Sequence, residues 1–277
     1  MNTSAFVSRL AVSLLKNVGI YPFVRPSRTV GFLKAVAEAM VLYDLQTMHQ
    51  VHSPIPVSQL SDLFPEVTQT QVAISYTPAC DGGLPYRELI ALCAMVKQTN
   101  AKSIFEFGTF QGRTTLFLAM NSDPDARIFT LDLPPQQSHS LVHQADASDL
   151  KYLPRPGMSD LGYLNTAVAH KVTQLYGDSA LFDCSQYHKQ MDFIFIDGAH
   201  SYQYTKSDTE SAFDMLSGQG IVVWHDYTPV WPGAYRFLQE LCRDRGLFHI
   251  ADTSLVVYAA DYGRFSPWSQ NCWNRDL

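Results

Sequence analysis

The sequence contains only five cysteines, and no two of them lie close together in the chain. A structural zinc site normally draws on closely spaced cysteines and histidines, and a disulfide framework needs an even number of cysteines. Neither is expected here. Scattered cysteines are typical of proteins from a reducing compartment, which favours a cytoplasmic location.

Basic charge and long apolar stretches are also scarce. The formal net charge is −6 at neutral pH, whereas proteins that bind nucleic acids generally present a basic face. No stretch approaches the roughly 18 apolar residues that a membrane span needs. Arg9 and Lys16 interrupt the apolar residues near the N-terminus, so no signal peptide is expected. We therefore expect a soluble, cytoplasmic protein whose partner is a small molecule rather than nucleic acid or a membrane.

Residues 1 to about 45 carry apolar side chains at helical intervals of four. Such stripes pack on the rest of a domain or on a second subunit, so a homodimer through N-terminal helices is one expected outcome. A segment rich in proline and serine, from about residue 49 to 67, predicts a loop where the domain organisation changes. We divide the chain into an N-terminal helical extension (1–80), a main domain (81–265) and a C-terminal tail (266–277). The apolar stripes are Phe6, Leu10, Leu14 and Val18, then Phe32, Val36 and Met40.

In the main domain, short apolar segments alternate with segments of helical periodicity. Helices are predicted from Pro85 to Asn100, from Tyr204 to Leu216 with Gly218 and Gly220 as its stop, and from Pro232 to Gly246. This alternation is the βαβ pattern of a parallel sheet that is covered by helices on both faces. The predicted strands are Ile104–Phe107, Ile128–Leu131, Val172–Tyr176, Phe193–Ile196 and Ile221–Trp224.

Two further strands are predicted at the end of this domain, Phe248–Ala251 and Ser254–Ala260. Only two residues separate them, which is too few for a parallel crossover, so they must form an antiparallel hairpin. The sequence thus predicts an α/β fold with a doubly wound, mostly parallel, seven-stranded Rossmann-like sheet that ends in an antiparallel hairpin. The connection 133–171 is unusually long, and we interpret it as a candidate lid.

The segment from Ser103 to Thr115 combines an apolar strand, a turn with two glycines and the start of a helix. Glycine lets the backbone turn tightly and approach a ligand, and a helix start offers free N–H donors. The segment therefore predicts a site for a nucleotide-like ligand.

Two kinds of ligand are compatible with such a turn. A dinucleotide site has the pattern G-x-G-x-x-G and an acid about 20 residues later for the ribose hydroxyls. Asp132 supplies the acid, 20 positions after Gly112, but Phe110 stands between the glycines and would obstruct a pyrophosphate. Glu106 would repel a phosphate but suits a cationic ligand, such as the amino group of a methionine moiety. A dehydrogenase is therefore the weaker interpretation.

The pattern E-F-G-x-x-x-G-R-T-T, the acid after the second strand and the terminal hairpin resemble class I S-adenosylmethionine-dependent methyltransferases. The similarity is greatest to the bacterial group related to catechol-type and macrolide-sugar O-methyltransferases, and it covers roughly residues 82–260. It implies that residues 81–265 form a catalytic domain that binds S-adenosyl-L-methionine, with Asp132 on the ribose. Asp178 and Ser179 would lie at the adenine. The turn that holds the methionine part would be formed by Glu106, Gly108, Phe110, Gly112 and Thr114.

Two strand ends carry side chains that could hold a metal ion. Asp197 follows the fourth strand and His225 and Asp226 follow the fifth, so all three lie at the carboxyl edge of the predicted sheet. With water and a substrate oxygen, they could bind a divalent ion such as Mg²⁺. The resemblance implies the same ligand positions, but the pair at 225 and 226 is usually acidic or Asp-Asn in those enzymes. Imidazole is a poorer Mg²⁺ ligand than carboxylate, so the sequence leaves the presence and identity of the metal open.

His200 lies three residues after Asp197, at the offset where catechol-type enzymes carry a catalytic lysine. The resemblance therefore implies that His200 is a general base for the substrate hydroxyl, with Asp197 as its catalytic neighbour. Two other roles stay open for His200, because it could support the following helix or bind the metal itself.

These observations lead to one main functional hypothesis, the metal-assisted O-methylation of a small-molecule hydroxyl by S-adenosylmethionine. A hydroxylase-like relative of the same fold and a cofactor-binding protein without turnover are the alternatives. The presence of Glu106, Asp132, Asp197 and Asp226 argues against a protein without turnover. The sequence does not identify the acceptor.

Overall fold

The computed structural model describes residues 53–77, 82–134, 141, 143, 149–153 and 161–261. All helices and strands given below belong to one compact unit that spans residues 54–277. The predicted N-terminal helices and the C-terminal tail lie outside the described residues. Within the described part, no helix is both long enough and apolar enough to cross a membrane.

Eight strands form a single sheet in the described part of the chain. They are β1 (Val57–Ser58), β2 (Ser103–Phe107), β3 (Arg127–Asp132), β4 (Val172–Tyr176), β5 (Met191–Ile196), β6 (Leu216–Trp224), β7 (Phe248–Ile250) and β8 (Val256–Ala259). Their order across the sheet is β1-β7-β8-β6-β5-β2-β3-β4. The doubly wound, mostly parallel α/β sheet that the sequence predicts is confirmed, with one additional strand at its edge.

The predicted hairpin at the end of the sheet is also confirmed. Strand β8 runs antiparallel to both β6 and β7, whereas every other pair of neighbouring strands is parallel. β8 is therefore the single reversed strand of the described sheet. In the connection between β7 and β8, Asp252 adopts a positive φ of 59°, a conformation that aspartate tolerates better than most residues.

The edge strand β1 corrects the prediction of a loop between residues 49 and 67. β1 pairs with β7, a short helix α1 follows at Leu60–Leu63, and a 3₁₀ helix spans Pro65–Gln69. A two-residue strand is too short to produce an alternating pattern, and Pro54 and Pro56 beside it are typical of loops. The pairing partner is about 190 residues away in the chain, so local sequence carries no sign of it.

Helices cover both faces of the sheet. The helices α2 (Tyr86–Thr99) and α3 (Arg113–Asn121) pack on one face, and α4 (Tyr202–Met215) and α5 (Pro232–Leu241) pack on the other. Every residue of β2 is buried, because alternate side chains enter the two cores. Full burial of such a side chain contributes about 1.5–3 kcal/mol. Because both faces are covered, the sequences of the central strands are almost continuously apolar.

Two predicted helix ends differ from the structure. Helix α4 ends at Met215, and Gly218 and Gly220 lie inside β6 instead of stopping the helix. A Cβ at Gly220 would come within 2.7 Å of the Met191 carbonyl oxygen, so this glycine serves close packing of two strands. Helix α5 ends at Leu241 rather than at Gly246.

The register of the parallel strands determines which residues meet at the carboxyl edge. Phe107 at the end of β2 pairs with Leu131 of β3 and with Ile196 of β5, and Ile196 pairs with Trp224 of β6. The chain segments that follow these four residues therefore leave the sheet side by side. They contain most of the predicted site residues.

Candidate active site

A cavity of about 310 Å³ lies at the carboxyl edge of the sheet. Its wall is built from residues that follow β2 to β6, from Gly82 and Gly83, and from the described part of the 133–171 connection. Open α/β sheets bind their ligands at this edge. The predicted site residues that line the cavity are Gly108, Phe110, Asp132, Asp178, Ser179, Asp197, His200, His225 and Asp226.

Gly108 joins the turn after β2 to the end of β5. Its φ is +92°, and a Cβ at this position would overlap the carbonyl group of Asp197. The Gly108 N–H donates to the Leu131 carbonyl, and the Asp197 N–H donates to the Phe107 carbonyl, each at 2.9 Å. Only glycine combines this backbone conformation with so close an approach. The sequence-based assignment of Gly108 to a tight turn is explained by this contact.

Asp132 and Phe110 are joined across the cavity wall. The Phe110 N–H donates to Oδ2 of Asp132 at 2.7 Å, and the Leu133 N–H donates to Oδ1 at 2.7 Å. Phe110 itself has a positive φ of 49°, which turns its N–H toward the carboxylate. Burial raises the pKa of Asp132 to about 6. The carboxylate is held rigidly at the place where the sequence predicts ribose recognition.

Gly112 and Thr114 do not line the cavity. Gly112 is the residue before α3, with a φ of +69°, and a Cβ there would come within 2.8 Å of the Tyr163 ring. The neighbouring Arg113, which sequence reasoning missed, donates to the Thr77 hydroxyl and to the Leu84 carbonyl. Arg113 thus fastens the segments on either side of residues 78–81 to the start of α3.

Glu106 does not line the cavity, so a direct contact between its carboxylate and a ligand remains a prediction. The side chain is fully buried in β2, and its Oε2 accepts hydrogen bonds from the hydroxyls of Thr115 and Thr130, at 2.5 and 2.6 Å. Burial raises the pKa of Glu106 to about 8. The group is therefore mostly neutral at pH 7, and it ties α3 and β3 together beneath the turn.

The other end of the cavity is formed by Asp178 and Ser179 after β4. The Asp178 carboxylate accepts hydrogen bonds from the Tyr204 hydroxyl and from the Ala180 N–H. Sequence reasoning missed Asp208, a fully buried residue of α4 that also lines the cavity. Burial raises the pKa of Asp208 to about 7.

Asp197, His225 and Asp226 converge as the sequence predicts. Their ligand atoms lie within 4.8 Å of one another. His225 Nδ1 is 2.9 Å from Asp197 Oδ1 and 3.2 Å from Asp226 Oδ2. We refer to these three residues as the ion cluster. Two carboxylates and one imidazole at such distances could coordinate a divalent cation.

Glu88 is a buried partner of this cluster that sequence reasoning missed. Its Oε2 lies 2.9 Å from His225 Nε2, and its Oε1 accepts hydrogen bonds from the N–H and hydroxyl of Ser254. Although burial favours the neutral acid, hydrogen bonds from His225 and Ser254 hold the pKa of Glu88 below its ordinary value. A signal was available, because Glu88 occupies the buried face of α2 together with Leu92 and Met95. An acid on such a face needs a polar partner.

His200 lies between two carboxylates. Its Nδ1 is 2.5 Å from Asp149 Oδ1, and its backbone N–H donates to Asp149 Oδ2. Its Nε2 is 2.5 Å from Asp226 Oδ2 without hydrogen-bond alignment. The ring stacks on Trp231 with centroids 3.9 Å apart. Asp149 belongs to the 133–171 connection and had no recognisable motif around it.

The protonation states follow from this arrangement. Burial opposes charge on His200, but the hydrogen bond with Asp149 and the nearby carboxylate of Asp226 raise its pKa to about 10. Burial likewise opposes charge on His225, yet the attraction of Asp226 and Asp197 raises its pKa well above the ordinary value. In this geometry the neighbouring carboxylates therefore favour the positively charged form of both imidazoles. A protonated His200 donates rather than accepts, so it does not act as a general base in this state.

Comparison with known proteins adds independent information about the family. Residues 105–227 match the profile of a family described as a methyltransferase domain. No curated protein sequence is significantly similar to the chain.

Several solved structures resemble the chain at low sequence identity. The O-methyltransferase TomG from Streptomyces achromogenes is 18% identical, with a TM-score of 0.46 over 65% of this chain and 82% of its own. The methyltransferase PaMTH1 from Podospora anserina is 15% identical, with a TM-score of 0.46 over 79% and 94%. A methyltransferase from Geobacter sulfurreducens is 13% identical, with a TM-score of 0.44 over 64% and 80%.

The family match covers the segment from β2 to the residues after β6, which contains the Gly108 turn, Asp132 and the ion cluster. The match agrees with the methyltransferase resemblance of the sequence, and the observed sheet confirms the predicted fold. Residues 105–227 are therefore similar to a methyltransferase domain, and they lie on the mostly parallel α/β sheet described above.

The close approach at Gly108 predicts that any side chain at this position lowers the stability of the fold. Gly108→Ala should lower the free energy of unfolding by about 1–3 kcal/mol or more, because the Cβ overlaps the Asp197 carbonyl at a positive φ. Gly218→Ala is the matched control, since a Cβ at Gly218 meets no atom within 4 Å. Urea unfolding followed by circular dichroism measures both. Equal stability of the two variants would contradict the contact.

The raised pKa of Glu106 predicts a pH-dependent stability. The folded state keeps this proton up to about pH 8, whereas the unfolded chain releases it near 4.5. Between these values the folded state binds more protons, so its stability falls as the pH rises, by up to about 1.4 kcal/mol per unit for this group. Glu106→Gln removes the group and should gain stability relative to wild type from pH 5 to pH 8.

Thermal unfolding of the ligand-free proteins across this pH range measures the effect of Glu106→Gln. Glu66→Gln, at an exposed position of the 3₁₀ helix Pro65–Gln69, is the control and should follow the wild-type curve. Parallel curves for wild type and Glu106→Gln would show that Glu106 ionises normally in the fold.

Proposed function

We propose that the protein transfers a methyl group from S-adenosylmethionine to a hydroxyl oxygen of a small molecule, with a divalent ion bound at the ion cluster. The observation that carries this proposal is that the Gly108 turn and the ion cluster share one cavity and touch through Asp197. A methyl donor on the turn and an acceptor oxygen at the cluster would therefore be neighbours. Holding two reactants in this way supplies a large part of many enzymatic rate enhancements.

Features along the cavity support the position of the cofactor. Asp132 offers a carboxylate to the ribose hydroxyls, and its two backbone hydrogen bonds keep it in place. Asp178 and Ser179 form the end of the cavity where the adenine would lie. Gly82 and Gly83 line the cavity without side chains, so their backbone would be available to the methionine part. Glu106 would act from beneath the turn rather than by direct contact.

The residues of the ion cluster fit a divalent ion. Asp197 and Asp226 would supply carboxylate oxygens and His225 would supply Nδ1, the nitrogen that faces both carboxylates. In the described geometry a proton on Nδ1 balances these two acids. Ion binding would release it, as is usual when a histidine becomes a ligand. When bound, the ion would supply Lewis acidity that lowers the pKa of the acceptor hydroxyl.

His200 is the residue that we propose to take the proton of the acceptor hydroxyl. Asp149 fixes the ring through Nδ1 and Trp231 supports it by stacking, so Nε2 has a defined direction beside Asp226. His200 can accept this proton only after its charged ring has lost one of its two N–H protons. Both neighbouring acids oppose that loss. Asp149 thus acts as a positioning residue as well as a counter-charge.

The remaining sequence-based expectations enter this proposal unchanged. The acceptor is a small molecule, and neither nucleic acid nor a membrane is a partner. The protein is cytoplasmic, and a homodimer would form through the N-terminal helices, which lie outside the described residues. The domain boundaries at residues 80 and 265 are proposals of the same kind.

Cofactor recognition through Asp132 predicts a loss of affinity. Asp132→Asn should bind S-adenosylhomocysteine about 10- to 100-fold more weakly, because an amide cannot accept both backbone N–H bonds and both ribose hydroxyls. Isothermal titration calorimetry measures the dissociation constant, with NAD as the competing ligand class. Asp125→Asn, at an exposed position, should retain wild-type affinity. Absence of S-adenosylhomocysteine binding by the wild type, or tight binding of NAD, would refute the cofactor assignment.

The ion cluster predicts one divalent site per chain. Wild-type protein should bind one Mn²⁺, as counted by the loss of the free Mn²⁺ signal in electron paramagnetic resonance. Asp226→Asn should bind at least about tenfold more weakly, because it loses a charged oxygen ligand. Asparagine tolerates the positive φ of 58° at this position, so the backbone should be retained. Equal Mn²⁺ binding by both proteins would place the ion elsewhere or exclude it.

A further inference from the structure

We propose that Glu88, through its hydrogen bond to His225, selects the imidazole tautomer that can bind a metal. The ion cluster is thereby tuned for a divalent transition ion with affinity for imidazole, such as Mn²⁺ or Co²⁺, in preference to Mg²⁺. This inference rests on the proposed function and adds to it the class of the ion and a positioning residue.

The two nitrogens of His225 face different partners. Nδ1 points into the cluster, 2.9 Å from Asp197 Oδ1 and 3.2 Å from Asp226 Oδ2. Nε2 points away from it, 2.9 Å from Glu88 Oε2. A neutral imidazole has one N–H and one lone pair. A carboxylate at Nε2 keeps the proton on that nitrogen, which directs the lone pair of Nδ1 toward Asp197 and Asp226.

The Glu88 carboxylate cannot rotate away from His225, because its other oxygen is also held by hydrogen bonds. Oε1 accepts the Ser254 N–H at 2.6 Å and the Ser254 hydroxyl at 3.0 Å. A backbone N–H is always a donor, so Oε1 must remain an acceptor. The Glu88 residue is only 4% exposed, so its carboxylate is largely removed from solvent. The pairing therefore assigns one oxygen to the hairpin between β7 and β8 and the other to His225.

This is the arrangement in which metal-bound histidines are commonly held. A carboxylate on the distal N–H fixes the tautomer and the ring orientation and raises the basicity of the ligating nitrogen, and its loss typically costs 10- to 100-fold in metal affinity. Affinity for sites that include nitrogen ligands rises through the first-row ions from Mn²⁺, the weakest binder of the series, to Cu²⁺, whereas Mg²⁺ favours oxygen ligands. A third carboxylate in place of His225 would suit Mg²⁺ better. However, that carboxylate would be buried beside Glu88, and burial of two neighbouring negative charges is unfavourable.

Glu88→Gln tests the tautomer directly and is nearly isosteric. Because the Ser254 N–H requires an acceptor, the amide oxygen should occupy the Oε1 position and the amide NH₂ should face His225 Nε2. His225 Nε2 must then accept a hydrogen bond from this amide. The imidazole proton therefore moves to Nδ1, which is the nitrogen that would bind the metal. Mn²⁺ affinity should fall 10- to 100-fold, whereas Mg²⁺ affinity, which depends on Asp197 and Asp226, should change less than about threefold.

The readout is the ratio of Mn²⁺ to Mg²⁺ affinity in the full-length protein. Mn²⁺ binding is followed by electron paramagnetic resonance and Mg²⁺ by competition. Electron spin-echo modulation from a directly bound ¹⁴N should be present in wild type and absent in Glu88→Gln. General damage to the fold would weaken both ions equally and leave the ratio unchanged. In a His225→Ala background, Glu88→Gln should have no further effect on the ratio.

The outcomes separate this inference from the function on which it rests. If wild type binds no divalent ion, the ion site itself is refuted and the inference falls with it. If wild type binds Mn²⁺ through Asp226 but Glu88→Gln keeps the wild-type ratio and the ¹⁴N modulation, only the role of Glu88 is refuted. A lowered ratio together with loss of the ¹⁴N modulation supports it.

Discussion

The close approach of Gly108 to the Asp197 backbone is the contact on which the site depends. The pairing of β2 with β5 brings the two chain segments together, and the absence of a side chain at Gly108 lets them touch. One segment carries the turn where we propose that the methyl donor binds, and the other carries a member of the ion cluster. A Cβ at this point would push the two halves of the site apart. Donor and acceptor would then lose the mutual position that methyl transfer requires.

A second constraint is the balance of charge in a buried site. Glu88, Asp149, Asp197 and Asp226 are all shielded from water around two imidazoles. Buried charges are costly unless they are paired and hydrogen-bonded. Each imidazole therefore lies between carboxylates, which explains why both hold their protons in the described geometry. A bound cation would enter the same balance, since it can replace the proton on His225 Nδ1.

Much of the fold and part of the site were readable from local sequence. The strands have apolar runs of the right length, and the two-residue spacing before the last strand forces a hairpin. Asp132 ends β3, and Asp197, His225 and Asp226 follow β5 and β6, so the parallel sheet alone predicts that they meet at one edge. Glu106 also lies near that edge, but its position within β2 points its side chain into the core. Its place beneath the turn depends on Thr115 and Thr130, which lie on other elements.

The sequence by itself determined the class of fold, the resemblance to methyltransferases and the strand ends where we propose that chemistry occurs, because motifs, periodicity and spacing are local properties of the chain. Only the tertiary structure decided the partners of the functional groups. Glu88 reaches His225 across 137 residues and Asp149 reaches His200 across 51, and β1 joins the sheet through two residues. Such pairings depend on packing distances that no local pattern encodes. They set the charge of the two histidines and thus what the site can do.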